Sequence, residues 1–288
     1  MIRKILRKLF FISNGRTIRI NERKISIPEK FIAHFNVNRN NPMEPELYAV
    51  LCRLIKKDNV FIDIGANIGI FSLMASDVAG PNGSVVVVEP NPVTFGFLAE
   101  IIAHNKTFDN IIMLQLAISD SLGLLPLQLN GDDSILMERA SLIHREAGAR
   151  IVNVFTNRLD NILPANVKPD IMKIDVEGAE LEVLDGSRGT IEAAKPMVCI
   201  EVHGLYFDHP EKHVEAVFSF FESVGYQGVN VSKSKVESVQ SFMEDSGVCG
   251  NDPVSKRPLN KLGYGNLIFV SDESRKQLVL EACKIFNA

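Results

Sequence analysis

The residues best suited to chemistry lie between Phe61 and Gly69, where the chain reads FIDIGANIG. An apolar run ends at Asp63, and Gly65 and Gly69 complete a D-x-G-x-x-x-G pattern. Where a parallel strand leads into a helix through glycines, a ligand often binds at the N-terminus of that helix. The carboxylate of Asp63, at the strand end, favours a cationic group such as an amino-acid ammonium. The pattern therefore predicts a ligand-binding turn.

Three nucleotide-binding patterns compete for this turn. A P-loop needs a Gly-Lys-Ser/Thr ending, and no lysine stands here. A dinucleotide fingerprint that begins at Gly65 needs glycines at 67 and 70, where the chain has Asn67 and Ile70. S-adenosylmethionine carries an ammonium and a sulfonium and lacks phosphate, so it suits the spacing better. Gly65 allows a close backbone approach, and Gly69 lets the helix begin tightly against the ligand.

A second acidic residue supports an adenosine ligand. Glu89 ends the apolar run VVVVE, roughly twenty residues after the glycines, where this topology places a carboxylate that binds ribose hydroxyls. Both S-adenosylmethionine and NAD carry that ribose. Only the glycine spacing separates the two, and an NAD-dependent oxidoreductase remains the alternative.

Ionisable residues also end two later apolar runs. KIDVEGAE places Lys173, Asp175 and Glu177 in alternation at the carboxyl end of a strand, the edge that faces the ligand crevice in open α/β sheets. Such groups are costly to bury unless they pair or act, so a structural Lys–carboxylate pair is the alternative. Glu201 and His203 end the next run. We expect Asp175 and Glu177 to position an acceptor and take its proton, with His203 as the alternative base.

A metal site is a further possibility at His203, Asp208, His209 and His213. His209 and His213 are four residues apart, which places them on one helix face. However, Pro210 follows His209 at the start of the predicted helix, and the cluster lacks the spacing of known zinc motifs. We therefore predict no metal among these residues.

The composition is that of a soluble globular chain of 288 residues, with 46% hydrophobic and 23% charged residues. A net charge of −4 argues against a nucleic-acid-binding protein. The four cysteines form no C-x-x-C pair, which favours reduced thiols and a cytoplasmic location.

From residue 59 onward, short apolar runs alternate with helical spacing, and continuous runs such as SVVVV indicate parallel strands buried on both faces. The pattern predicts one strand over 110–118, one helix over 179–194, and a polar connection over 233–265. The runs GLLPLQL and RIVNVFT predict an antiparallel excursion with an insert between them.

The N-terminal segment MIRKILRKLFFI is neither a good signal peptide nor a membrane span, because Arg7 and Lys8 interrupt it. Its apolar and basic residues lie on opposite faces of a predicted helix. That helix either packs on the domain or rests on an anionic membrane surface. The following RTIRINERKISIP alternates with period two and predicts a hairpin.

Four segments occur in an order that resembles the FkbM-type family of S-adenosylmethionine-dependent methyltransferases. They are FIDIGANIGIFSLMAS, VVVVEPNPVTFGFLAEIIAHN, LQLAISD and IMKIDVEGAELEVLDGS, and the similarity covers roughly residues 44–230. The resemblance implies an α/β class I methyltransferase (Rossmann-like) fold. That fold has a seven-stranded, mostly parallel sheet with helices on both faces and one antiparallel strand near the end. It also implies methyl transfer, usually to oxygen, on carbohydrate or natural-product acceptors.

Carried onto this chain, the resemblance implies cofactor-binding residues in three places. They are Asp63, Gly65, Asn67 and Gly69 at the first turn, Glu89 and Asn91 at the second, and Ala117, Ser119 and Asp120 near the adenine. Residues 1–43 are then a small N-terminal extension, a basic arm and hairpin, and 44–288 are the S-adenosylmethionine-dependent methyltransferase domain. Related sugar methyltransferases can use magnesium, which leaves an assisting divalent metal open.

We therefore expect an enzyme that methylates a hydroxyl of a glycan or secondary metabolite with S-adenosyl-L-methionine. Its partner is a carbohydrate or small-molecule acceptor and not nucleic acid. A peripheral contact of residues 1–12 with the inner membrane surface would suit a lipid-linked acceptor. The alternative to catalysis is a scaffold that keeps the cofactor pocket alone.

Overall fold

The computed structural model describes residues 10–13, 17–21, 23–27, 44–105, 108–130, 139–141, 150–202, 209–246 and 266–284. The described strands form three sheets. A small N-terminal sheet contains Phe10–Ser13 (β1), Thr17–Ile20 (β2) and Arg23–Ser26 (β3).

The main sheet carries the predicted strand–helix alternation. Its strands are Val60–Ile64 (β4), Ser84–Val88 (β5), Ile111–Leu114 (β6), Ile171–Ile174 (β11), Met197–Glu201 (β12), Gln227–Asn230 (β13), Lys235–Glu237 (β14) and Asn266–Val270 (β15). Their order across the sheet is β14-β13-β15-β12-β11-β4-β5-β6. The five strands from β12 to β6 run parallel, and β15 is antiparallel to both β12 and β13.

A third sheet has the order β7-β10-β8-β9. Its strands are Ala117–Ile118 (β7), Gly123–Asn130 (β8), Arg139–Ser141 (β9) and Arg150–Asn157 (β10). β8 and β10 pair antiparallel, so the predicted excursion is confirmed.

Helices cover both faces of the main sheet. They are Pro45–Leu54 (α1), Ile70–Ala79 (α2), Pro92–Asn105 (α3), Leu159–Ile162 (α4), Glu180–Gly186 (α5), Arg188–Ala194 (α6), Pro210–Ser223 (α7), Val239–Ser246 (α8) and Glu273–Cys283 (α9). One apolar core joins the sheet to α1, α2, α3 and α9, and a second core joins the opposite face to α5, α6, α7 and α8. Among the described residues, no helix is both long and apolar enough to cross a membrane.

The predicted class I methyltransferase architecture is confirmed, including the antiparallel strand near the C-terminal end. The main sheet has eight strands and not seven, because β14 extends its edge beyond β13. β14 and α8 lie in the stretch that the sequence predicts to be a polar connection. The strand predicted over 110–118 is two strands, since β6 stays in the main sheet and β7 pairs with β10.

The helix predicted over 179–194 is broken at Ser187 into α5 and α6. The break has a packing cause. A Cβ built on Gly186 would lie 2.1 Å from the carbonyl oxygen of Ser119, so the end of α5 fits against the 119–120 backbone only because residue 186 has no side chain. Gly186 and Ser187 are also weak helix formers.

The predicted N-terminal hairpin is confirmed as β2 and β3, which pair antiparallel. Ile20 and Ile25 are buried in the same apolar core as α1 and α2. The backbone N–H of Ser26 donates to Oδ1 of Asn105 at 2.8 Å, and Asn105 Nδ2 donates back to the Ser26 carbonyl at 2.9 Å. The hairpin therefore packs on the main domain, and a boundary at residue 43 stays a prediction. The basic helix predicted for MIRKILRKLFFI falls mostly on residues 1–9, outside the described part of the chain. Its last three residues belong to β1 and are not helical.

Candidate active site

The glycine turn, residues 65–69, connects β4 to α2 at the carboxyl edge of the sheet. Gly65 and Gly69 have φ values of +78° and +76°, which favour glycine. Asn67 lies between them with φ +52°, a conformation that asparagine tolerates better than most residues. The turn is held by the N–H of Gly65, which donates to the carbonyl of Val88 at 2.9 Å.

The two glycines are required by neighbouring protein atoms. A Cβ on Gly65 would lie 1.8 Å from the backbone carbonyl oxygen of Asp175, and one on Gly69 would lie 2.4 Å from a methyl group of Leu98. The sequence suggests that Gly65 makes room for a ligand. The structure shows that it makes room for the end of β11, which brings the glycine turn against Asp175.

Asp63 lies directly before this turn and is fully buried. The Ser72 hydroxyl donates to its Oδ2, while its Oδ1 has no hydrogen-bond partner among the residues that the structure describes. Burial raises the pKa of Asp63, and the positive charge of Lys173 opposes that rise. A buried, unpartnered carboxylate oxygen is costly, and a hydrogen-bond donor on a ligand would remove that cost.

Glu89 follows β5 and is 5% exposed. Its Oε2 accepts the backbone N–H of Asn67 at 2.7 Å, and its Oε1 accepts that of Asn91 at 2.8 Å. Burial raises the pKa of Glu89 to about 7, against the opposing effect of these two N–H groups. Each carboxylate oxygen has a second lone pair, so Glu89 can fix the glycine turn and still accept hydrogen bonds from a ligand.

Asn91 provides a second buried polar atom without a partner. Its Oδ1 accepts the N–H of Val93 at 2.9 Å, but its Nδ2 has no partner within the described ranges. A donor and an acceptor, on Asn91 and Asp63, are thus left over at two neighbouring strand ends. This pair of orphaned atoms suits a polar ligand that lies along the edge of the sheet.

The segment predicted to contact adenine follows β6, the next strand along the edge. Ala117 belongs to β7, and Ser119 is buried, with its N–H donating to the carbonyl of Asn157 at 2.9 Å. Asp120 is exposed, and its carbonyl accepts a hydrogen bond from the Arg158 guanidinium at 2.9 Å. The segment is therefore held by backbone contacts, and its contact with adenine stays a prediction.

Lys173 and Asp175 form an ion pair at the end of β11, with 2.9 Å between Nζ and Oδ2. The Lys173 side chain is 4% exposed and the Asp175 side chain 21% exposed. The Lys173 ammonium also lies 4.7 Å from the centre of the Phe71 ring. Burial alone lowers the pKa of Lys173, but the neighbouring carboxylates, chiefly that of Asp175, outweigh it and raise the pKa. The predicted Lys–carboxylate pair is therefore present, and a catalytic role for Asp175 stays a prediction.

Two further carboxylates lie beside Asp175. Glu44 stands directly before α1, and Glu201 ends β12, the strand next to β11. Oxygens of Glu44, Asp175 and Glu201 lie within 4.8 Å of one another, and all three residues are partly exposed. Glu44 Oε2 also accepts Nδ2 of Asn266 at 2.8 Å. This carboxylate group, named here the acidic edge, can accept hydrogen bonds from several hydroxyls at once.

Glu177 lies in the acidic turn, residues 175–179, between β11 and α5. It is partly buried and has φ +51°, and Gly178 follows with φ +105°. Non-glycine residues with positive φ are uncommon and often mark functional turns. Its predicted role beside Asp175 stays a prediction.

The residues considered as a metal site differ in their surroundings. His203 and Asp208 lie outside the described residues. His209 is exposed, and its Nδ1 lies 3.1 Å from Glu211. His213 is buried in α7, with Nε2 at 2.8 Å from Oε2 of Glu180.

Sequence reasoning missed two of these arrangements. Glu44 precedes a helix that begins with Pro45, and that pattern indicates a helix start without any chemistry. The pairing of Glu180 with His213 joins residues far apart in sequence. Glu180 stands in the same KIDVEGAE run as Asp175, but no periodicity identifies its partner.

The chain is similar to known methyltransferases. Residues 63–227, more than half of the chain, match the family model described as the methyltransferase FkbM domain. The chain is 34% identical over 153 residues to methyltransferase sdnD of Sordaria araneosa, covering 43% of this chain and 59% of that protein. It is 30% identical over 165 residues to hexuronic acid methyltransferase AglP of Haloferax volcanii, covering 56% of this chain and 62% of that protein.

The chain thus spans about three fifths of the length of each of these relatives. The crystal structure of a methyltransferase FkbM from Methylobacillus flagellatus superposes with a TM-score of 0.46 at 14% identity, over 93% of this chain and 57% of that one. The match of the family model covers the glycine turn, Glu89 and the acidic turn together. The chain belongs to the FkbM methyltransferase family.

Proposed function

We propose that the protein transfers a methyl group from S-adenosyl-L-methionine to a hydroxyl oxygen of a glycan or secondary metabolite. The observation that carries the proposal is the pair of orphaned buried atoms, Asp63 Oδ1 and Asn91 Nδ2. An acceptor for an ammonium lies at the end of β4, and a carboxylate for ribose hydroxyls and a spare donor follow β5, the neighbouring strand. NAD would place a pyrophosphate at the glycine turn, where Asn67 and Ile70 replace the glycines it needs.

Each of these residues would bind a different part of the cofactor. Asp63 would accept from the methionine ammonium, and Glu89 from the ribose hydroxyls. Asn91 Nδ2 would donate to the ligand beside that ribose, and the segment 117–120 would lie near the adenine. When bound, the cofactor supplies an electrophilic methyl group on a sulfonium, and the protein supplies position and proton transfer.

Asp175 and the acidic edge are the groups that we assign to the acceptor. Asp175 is half-buried and held by Lys173, so its free oxygen has a fixed direction. A hydroxyl bound there would donate its proton to a carboxylate, which is the role of a general base in methyl transfer to oxygen. Glu44 and Glu201 would accept hydrogen bonds from other hydroxyls of the same acceptor.

A polyhydroxylated acceptor fits this group of carboxylates. The name of one relative specifies a hexuronic acid, so sugars belong in the first acceptor screen. The net charge of −4 and the acidic edge both disfavour a nucleic acid acceptor. We also propose that residues 1–12 make a peripheral membrane contact, as a lipid-linked glycan would require.

The first prediction concerns cofactor identity. We expect S-adenosylhomocysteine to raise the unfolding temperature and NADH to leave it unchanged. At a hundred times its dissociation constant, a ligand that binds only the native state adds ~2.7 kcal/mol to the free energy of unfolding. Thermal unfolding with each compound, and with neither, measures this directly.

The variants Asp63→Asn and Asn91→Leu are the matched tests, since the first removes the charge that would face the ammonium and the second removes the orphaned donor. Both should reduce the shift caused by S-adenosylhomocysteine. Stabilisation by NADH alone would mean that the glycine spacing is misinterpreted, and the proposed methyl transfer would fail with it.

The second prediction concerns pH. Burial raises the pKa of Glu89 from 4.5 to about 7, so between these values the free folded chain holds a proton that the unfolded chain has released. The stability contribution of this group is therefore complete below pH 4.5 and is lost as the pH rises through about 7. Ligand binding has the opposite dependence, because ribose hydroxyls donate to the ionised carboxylate.

We expect the affinity for S-adenosylhomocysteine to be about tenfold weaker at pH 6 than at pH 8, as titration of one group with that pKa requires. Isothermal titration calorimetry across this range measures the slope. Glu89→Gln should bind more weakly at pH 8 and lose most of the pH dependence. An unchanged slope in Glu89→Gln would assign the titration to another residue.

A further inference from the structure

We propose that Glu180 and His213 are a positioning pair that holds the acidic turn in its reactive conformation. The relevance of that turn to methyl transfer rests on the proposed function. The contact between the two side chains is seen in the geometry and does not depend on that function. Glu180 contacts the backbone of the turn and the His213 ring, so we assign the two residues a role through the turn and not in the chemistry.

The Glu180 carboxylate connects two parts of the molecule. Its Oε1 accepts the backbone N–H of Gly178 at 3.1 Å, inside the acidic turn. Its Oε2 lies 2.8 Å from Nε2 of His213, on α7. The side chain of Glu180 is fully buried and that of His213 is 4% exposed. One carboxylate thus joins the turn after β11 to the helix after β12.

The turn needs such support because its backbone is unfavourable. Glu177 has φ +51°, a left-handed conformation that costs a residue with a Cβ free energy, and Gly178 at φ +105° is open to glycine almost alone. The start of the turn is fixed by the Asp175 N–H, which donates to the Ile64 carbonyl at 3.0 Å. Its end at Gly178 is fixed by Glu180.

His213 in turn fixes the carboxylate. Without His213, one oxygen of the buried carboxylate would lose its partner. The carboxylate would then rotate toward water or take up a proton, and either change would weaken its hydrogen bond with the Gly178 N–H. Apolar packing between Val183 and Leu184 of α5 and Val214 and Val217 of α7 holds the two helices at the distance that the pair requires.

The test is residue-resolved amide hydrogen exchange at Gly178 in the full chain. We expect His213→Met to accelerate exchange of that amide by about tenfold, because one buried hydrogen bond is weakened. His213→Gln keeps a side-chain N–H donor and should remain within about threefold of the wild type. His209→Met makes the same substitution four residues away at an exposed site and should change nothing.

A double variant separates positioning from stability. Removing one partner of a buried pair destabilises, whereas replacing both by apolar residues often restores stability. Glu180→Met with His213→Met should therefore regain the unfolding temperature but not the protection of Gly178. In methyl transfer, we expect kcat to fall, because the acidic turn that begins at Asp175 is held less firmly. KM and the affinity for S-adenosylhomocysteine should stay within about threefold of the wild type, because the acceptor and the cofactor are assigned to other residues.

Two results would overturn the pairing role: equal Gly178 exchange in His213→Met and His209→Met, or full recovery of Gly178 protection in the double variant. If no acceptor is ever methylated, the proposed function fails while the exchange result still decides whether the pair holds the turn.

Discussion

Replacing Gly65 by alanine is expected to abolish measurable binding of S-adenosylhomocysteine and to lower the free energy of unfolding by about 3 kcal/mol. Two costs add. Alanine disfavours the φ of +78°, and its Cβ would lie 1.8 Å from the carbonyl oxygen of Asp175, which neither backbone can tolerate. The glycine turn or the acidic turn must then move. Chemical denaturation and calorimetry measure the two effects separately.

Gly225 is the matched control. It has φ +81°, and apart from its chain neighbours no atom of the described residues lies within 4 Å of where its Cβ would be. Gly225→Ala should therefore show only the cost of the left-handed conformation, about 1 kcal/mol, and should bind S-adenosylhomocysteine as the wild type does. Equal losses in the two variants would mean that the contact between the two turns contributes nothing.

Much of the fold could be predicted because the strands at the centre of the sheet have a simple sequence pattern. A parallel strand buried on both faces must be continuously apolar, as in Ser84–Val88, and the helices between such strands carry an apolar stripe. The same pattern identifies the strand ends, because each apolar run stops there. Since parallel strands end at one edge of the sheet, Asp63, Glu89 and Asp175 could be expected to lie near one another.

The parts that were not predicted depend on tertiary contacts. β14 and α8 lie in a polar stretch, and their buried residues are few, chiefly Glu237 and Phe242. The break at Ser187 follows from the contact of Gly186 with the carbonyl of Ser119, which no local rule contains. β7 is two residues long, below the length at which alternation is visible.

In the site, residue types could be predicted better than their partners. The sequence suggested that Lys173 and Asp175 pair or act, and the pair is present. It did not suggest that Glu44 would join Asp175 and Glu201, because sequence separation hides that contact. The sequence suggested a close approach at Gly65, and the structure shows one by the Asp175 carbonyl, while an approach of a ligand to the same turn stays a prediction.

Asparagine at position 175 is expected to reduce methyl transfer by roughly 100- to 10,000-fold, the range typical for loss of a general base. Asp175→Asn keeps an oxygen for Lys173 Nζ, so the strand end should retain its ion-dipole contact while the group can no longer take a proton. Affinity for S-adenosylhomocysteine should stay within about threefold of the wild type, because the cofactor is assigned to other residues. The assay uses labelled S-adenosylmethionine and the sugar that the wild type methylates.

Glu44→Gln and Glu201→Gln make the same neutralising change at the other two carboxylates of the acidic edge. Because we assign them to binding of the acceptor, each should raise KM several-fold and leave kcat nearly unchanged, as expected for loss of uniform binding. Asp175→Asn should instead lower kcat and leave KM nearly unchanged. If Asp175→Asn raised KM alone, as these two variants should, Asp175 would bind the acceptor without taking its proton. Glu177 and His203 would then be the bases to test.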